Sequence, residues 1–148
     1  MQANLVIPLA ESKPAVAAGI NLIIAWGWVL LGFLSGAAMG LRFHEDHWLG
    51  GFGSFKRRLY RLAHISFFGL GAVNLMFWLT QRAVVLSEPF ASLASWGFVV
   101  GAMTMPLACV LMAHFPKSRP LFAVPVLSLF AAAGLTFWAV LQRTGGLP

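Results

Sequence analysis

Long apolar runs alternate with short polar segments along the chain. No Asp, Glu, Lys or Arg occurs from Pro14 to Leu41, from Leu62 to Gln81, from Pro89 to Pro116, or from Pro120 to Gln142. Each run reaches the about 20 residues that an α-helix needs to cross a hydrocarbon core of about 30 Å. A membrane β-barrel would instead alternate apolar and polar positions in segments of about ten residues, and no such alternation is present. The pattern predicts an all-α integral membrane protein, a bundle of four transmembrane helices with antiparallel neighbours. The spans are expected at about 15–41, 56–82, 89–115 and 119–142, within a single transmembrane domain over 1–148. Residues 1–14 read as an arm preceding the first span, with Pro14 suited to a first helical turn. The final Gly-Gly-Leu-Pro reads as a fraying tail.

Composition supports the membrane reading. Hydrophobic residues make up 59% of the 148 positions and charged residues 9%, against about 25% charged in soluble domains. The net charge of +6 would suggest nucleic acid in a soluble protein, but here its distribution carries the information. Arg42, Lys56, Arg57, Arg58 and Arg61 lie between the first two spans, and Lys117 and Arg119 lie between the last two. Lys13, Arg82 and Arg143 fall at the opposite side. By the positive-inside rule the seven-residue side is cytoplasmic, which places both termini on the non-cytoplasmic side of an inner (cytoplasmic) membrane. The first residues lack the basic start and short apolar core of a signal peptide, so the first span is expected to be retained. One cysteine, Cys109, excludes an intramolecular disulfide and a CxxC site.

Several residues inside the spans invite specific expectations. Gly32, Gly36 and Gly40 recur every fourth residue, which places them on one helix face, and Gly97 and Gly101 do the same in the third span. Such faces let another backbone approach closely. The approaching surface could be a helix of this chain, another subunit, or a flat cofactor or lipid. Pro106 and Pro125 each remove a helical hydrogen bond and are expected to bend their helices, as static features or, alternatively, as hinges. Asn21 and Asn74 are expected to hydrogen-bond across helices. Trp26, Trp28, Phe137 and Trp138 are expected in an aromatic belt, as are the rings of the Phe43–Phe55 loop at the basic side.

The histidines are the most informative polar residues. His64 lies about two turns into the second span, and His114 ends the third. An ionisable side chain within a span is a functional candidate by default, and a neutral imidazole can ligate haem iron. His64, Phe67, Phe68 and Gly71 share one helix face, a surface on which a porphyrin edge could rest. His64, His114 and Gly71 are therefore the candidate cofactor-binding residues, with haem b as the possible cofactor. The alternative for His64 is a plain hydrogen bond to a neighbour. The His44-Glu45-Asp46-His47 run lacks a third ligand and the H-E-x-x-H pattern, so no metal site is assigned. Lys56, Arg57, Arg58 and Arg61 form a juxtamembrane cluster that serves as positive-inside anchoring or docks anionic lipid or an acidic partner surface.

No carboxylate or basic residue lies within the charge-free core of a span, unlike proton pumps and ion-coupled transporters. No catalytic constellation, Walker loop or dinucleotide fingerprint occurs, and the loops are short, so no enzymatic activity is expected. The leading expectation is a small non-catalytic subunit of a larger membrane protein complex, an electron-transfer assembly of the respiratory or photosynthetic kind. Its partners would be other membrane subunits and lipids, not nucleic acid. The alternatives are a haem b or quinone-binding redox subunit using His64, and a small transporter or channel.

Overall fold

The computed structural model describes residues 16–84 and 86–145. The expected arm over residues 1–14 and the last three residues of the tail lie outside the described residues. Four helices dominate: α1 (Val16–Leu41), α2 (Phe55–Ala83), α3 (Phe90–His114) and α4 (Ala123–Thr144). Short 3-10 turns, Trp48–Gly50 and Pro116–Phe122, occupy the two connections at the Arg-rich end. All four helical segments are long and apolar enough to cross a bilayer, as expected of a multi-pass membrane protein.

Polar side chains deep in the bundle set the order of the helices. Asn21, Asn74 and Ser95 are fully buried, one each from α1, α2 and α3. The Asn21 amide donates to Asn74 Oδ1 at 2.8 Å, and the Ser95 hydroxyl donates to Asn21 Oδ1 at 2.5 Å. The Asn74 amide donates to the Leu70 carbonyl at 2.9 Å and reaches the Phe98 carbonyl of α3 at 3.5 Å. Because Asn21 is early in α1, Asn74 late in α2 and Ser95 early in α3, this network fixes α1 antiparallel to α2 and parallel to α3. The expected hydrogen bonding of both asparagines is thus met by one bond between them and by Ser95, Leu70 and Phe98.

A second crossbar lies further along the same pair of helices. Pro106 is buried within α3. A proline has no N–H, so the carbonyl four residues earlier loses its helical donor. That carbonyl belongs to Ala102, and it accepts a 3.1 Å hydrogen bond from the Trp28 indole of α1. Hydrocarbon supplies no water to satisfy a freed backbone group, so a neighbouring helix must do so. Trp28 is only 9% exposed and packs with Leu70 and Ala102. It therefore belongs to the interior, which corrects its assignment to the aromatic belt. Trp26, by contrast, is exposed.

The glycines settle where close approach occurs. A Cβ on Gly97 would lie 2.9 Å from Ala132 Cβ and 3.1 Å from the Ser128 carbonyl, and one on Gly101 would overlap Leu129. Both glycines therefore seat α4 against α3. A Cβ on Gly32 would lie 2.7 Å from the Phe68 ring, and one on Gly36 would lie 2.9 Å from His64. Gly40 meets nothing within 4 Å, so the α1 groove is two glycines long and receives side chains of α2. Helix α4 packs chiefly on α3, and its Ala132 joins a buried cluster with Ala94 and Phe98 of α3 and Phe77 of α2. Pro125 stands in the first turn of α4, since the 3-10 turn extends to Phe122. It starts that helix instead of bending it, and α4 begins four residues later than the sequence pattern predicts.

Trp28→Phe should destabilise the protein by about 1–3 kcal/mol, the cost of a buried acceptor left without a donor. In a Pro106→Ala background the restored N–H of residue 106 can bond Ala102, and the same substitution should then cost markedly less. Reversible unfolding in mixed micelles measures the cycle. Equal costs in both backgrounds would mean that Trp28 stabilises by packing alone.

Candidate functional site

Beyond the Trp28–Ala102 crossbar, toward the Arg-rich end, α1 and α3 separate. A cavity of about 410 Å³ opens between them, with α2 as its floor. Ser35, Ala38, Met39 and Arg42 line it from α1 and its end, Tyr60, Ala63, His64 and Phe67 from α2, and Val110 from α3. Trp48 and Leu49 of the α1–α2 connection close its end. The lining is largely apolar, with a few polar groups grouped on α2 and α1. Cavities of this size and character are the usual form of small-molecule sites.

His64 sits on the wall of this cavity. Its Nδ1 lies 2.9 Å from the Ser35 hydroxyl, which is also 3.0 Å from the Gly32 carbonyl. The ring stands edge-on to Phe68 with centroids 5.5 Å apart. The absence of a side chain at Gly36 leaves room for the imidazole. One turn nearer the Arg-rich end, the Tyr60 hydroxyl lies 2.8 Å from His114 Nε2, and the two rings meet edge-on at 6.0 Å. His114 itself is exposed.

The three residues named for a porphyrin are not brought together. A Cβ on Gly71 would stand 3.1 Å from the Ala25 carbonyl and 3.3 Å from Trp28 Cβ, so this surface of α2 is closed by α1. His114 does not line the cavity, and its Nε2 is engaged by Tyr60. Gly71 borders a separate groove with Ala25, Trp26 and Val29 of α1, so of the three only His64 lines the cavity between α1 and α3. Among the described residues, no group of three or more His, Cys, Asp or Glu is placed to hold a metal ion.

The basic cluster divides in two. Lys56 is half-buried, and Arg58 and Arg61 are exposed, but Arg57 is only 1% exposed. Its guanidinium donates to the Phe43 carbonyl at 2.7 Å and reaches the Glu45 carbonyl at 3.5 Å. It lies 3.9, 4.9 and 5.2 Å from the ring centroids of Phe52, Phe43 and Trp48. The aromatic side chains of this loop therefore surround a cation from α2. The loop is further fixed by Ser54, which caps α2 by accepting from the Arg57 N–H at 3.1 Å and donates to the Leu49 carbonyl at 2.6 Å. Leu49, Gly50 and Gly51 all have positive φ, at 54°, 85° and 94°, a conformation that the paired glycines make accessible. Arg58 and Arg61 are exposed, and Arg61 also donates to the Phe52 carbonyl at 3.4 Å, while Arg57 packs against Trp48 at the cavity's end.

Sequence reasoning singled out His64 but missed Ser35, Tyr60, Arg42 and Val110. Two signals were available. Tyr60 and His64 are four apart and so share a face of α2, and Ser35 precedes Gly36 in the groove that receives α2. Val110 carried no signal, since it joins the cavity through the divergence of α1 from α3. No protein-family model, no curated protein and no solved structure matches the chain.

Arg57→Lys should loosen the 42–54 loop although charge is retained. An ammonium cannot reproduce the flat contact with three rings together with two carbonyl bonds. The readout is the rate of limited proteolysis at the loop in detergent, expected to rise toward that of Arg57→Ala. A wild-type rate for Arg57→Lys would show that charge alone holds the loop.

Proposed function

We propose that this chain is a small, non-catalytic subunit of a larger membrane protein complex. Its place would be the cytoplasmic membrane, with the Arg-rich end in the cytoplasm and both termini outside. The observation that carries the reading is the outer surface of α4. Only Pro125 and Ala132 of this helix are buried. Leu127, Ala131, Gly134 and Trp138, which follow one another at helical spacing, are exposed, and a Cβ on Gly134 would meet nothing within 4 Å. Inside the bundle, the same combination of small residues flanked by large ones seats α3 against α4. In lipid, helices associate through such close packing and not through hydrophobicity. An outward stripe of this kind suits a transmembrane helix of another subunit, and Arg58 and Arg61 offer charge to an acidic partner surface or anionic lipid. An electron-transfer assembly is the partner class most compatible with a histidine held inside the span.

After extraction in mild detergent, the chain should migrate on a native gel with other polypeptides, well above its own 16.0 kDa plus micelle. Gly134→Leu should release it while leaving its own thermal unfolding unchanged. A reporter active only outside the cytoplasm should work after Pro148 and be silent near Ser54. Migration as a lone chain, insensitive to Gly134→Leu, would defeat the assembly reading; the reverse reporter pattern would defeat the orientation.

A further inference from the structure

We propose that the cavity at His64 binds the ring of a membrane-soluble quinone in both its quinone and hydroquinone states. The inference rests on the cavity's own geometry and stands whether or not the chain is part of a larger assembly.

Depth comes first. Helix α2 has 29 residues, so it is about 43 Å long and exceeds a hydrocarbon core of about 30 Å; its charge-free run begins at Leu62, after Arg61. His64 lies nine residues after Phe55, about 13 Å along the axis, which puts it below the headgroup level. A ligand reaching it from the bilayer must be lipid-soluble.

The lining then selects the head group. Phe67, Tyr60 and Trp48 contribute aromatic surface, and Arg42 is the only formally charged side chain on the wall. A phosphate would call for several cationic donors; a neutral flat ring needs none. No residue of α4 lines the cavity, so α4 does not cover its side between α1 and α3. An apolar tail can leave by that opening.

Hydrogen bonding gives the sharpest constraint. The Ser35 hydroxyl has one proton and two neighbours that can accept it, the Gly32 carbonyl at 3.0 Å and His64 Nδ1 at 2.9 Å. When Ser35 donates to Gly32, its oxygen accepts from Nδ1–H, and His64 Nε2 carries a lone pair. When Ser35 turns to donate to Nδ1, Nε2 carries the proton. Rotation of one hydroxyl thus accompanies the exchange of Nε2 between acceptor and donor. The Tyr60–His114 pair has the same property. If His114 Nε2 is protonated it donates to the phenol oxygen, and the phenol proton is free for a ligand. If it is not, Tyr60 donates to His114, and the phenol oxygen accepts from a ligand. Tyr60 and His64 are four residues apart on α2, so two reversible hydrogen-bonding groups face one cavity. A ligand fixed as donor or acceptor needs only one setting of each. A ring that alternates between carbonyl and hydroxyl needs both.

The test is calorimetric titration of the detergent-solubilised full chain with tetramethylbenzoquinone and, anaerobically, its hydroquinone, against empty micelles. Saturable binding of both, with affinities within about tenfold of each other, is expected. His64→Leu removes one reversible partner and should weaken both forms by about tenfold. Val110→Phe leaves every hydrogen-bonding group in place and puts a bulky ring into the cavity, so it should weaken both markedly; it also decides the matter if His64→Leu fails to fold. Absence of saturable binding to the wild type, binding of only one redox form, or full binding by Val110→Phe would each overturn the proposal.

Discussion

In hydrocarbon, a backbone carbonyl that loses its helical donor has no water to replace it, and the Trp28 indole supplies Ala102 with what Pro106 withholds. This bond couples a break in the α3 hydrogen-bond ladder to the position of α1. Together with the Asn21–Asn74–Ser95 network it holds α1 against α3 over one half of their length. Beyond it no described hydrogen bond joins the two helices, and the cavity at His64 lies there. The site is therefore a consequence of where the crossbars stop, and the side chains that line it are those left facing one another across the divergence.

The Arg-rich end has its own source of order. Arg57 is withdrawn into the rings of Phe43, Trp48 and Phe52, and the loop it organises places Trp48 and Leu49 over the cavity. A cation at a membrane boundary ordinarily anchors a helix by remaining in contact with headgroups or water. Here the neighbouring Arg58 and Arg61 remain outward while Arg57 acts as the core of a small loop structure. The contrast shows why a count of basic residues predicts which end they occupy better than what each one does.

The four helices were legible because they follow from the absence of charge over long runs, a property that survives any detail of packing. That Asn21 and Asn74 bond across helices was legible too, since a polar amide in lipid must find a partner; that they bond each other was not. Trp28 was misplaced because an indole suits both an interface and a buried carbonyl, and only the position of Pro106 on a different helix distinguishes them. The start of α4 was misread because Pro120 and Pro125 are compatible with a 3-10 turn or with an α-helix. Gly40 shares the spacing of Gly32 and Gly36, yet no side chain comes within 4 Å of where its Cβ would stand. For the site, His64 stood out as an ionisable group within a span. Spacing placed Tyr60 on the face of His64 and Ser35 beside the glycine groove, but the Ser35–His64 and Tyr60–His114 contacts lie between helices, which spacing along one helix does not encode.

The central claim is that α1 and α3 touch near Asn21 and Ser95 and stand apart near Ala38 and Val110. Oxidative cross-linking of paired cysteines in native membranes, with Cys109→Ala as background, tests it directly. The Asn21→Cys, Ser95→Cys pair should form a disulfide under mild oxidation. The Ala38→Cys, Val110→Cys pair, on opposite walls of the cavity, should remain reduced and join only through a longer bifunctional reagent. Equally rapid disulfide formation by both pairs would show that the two helices run together along their whole length, and the account of the cavity would then be wrong.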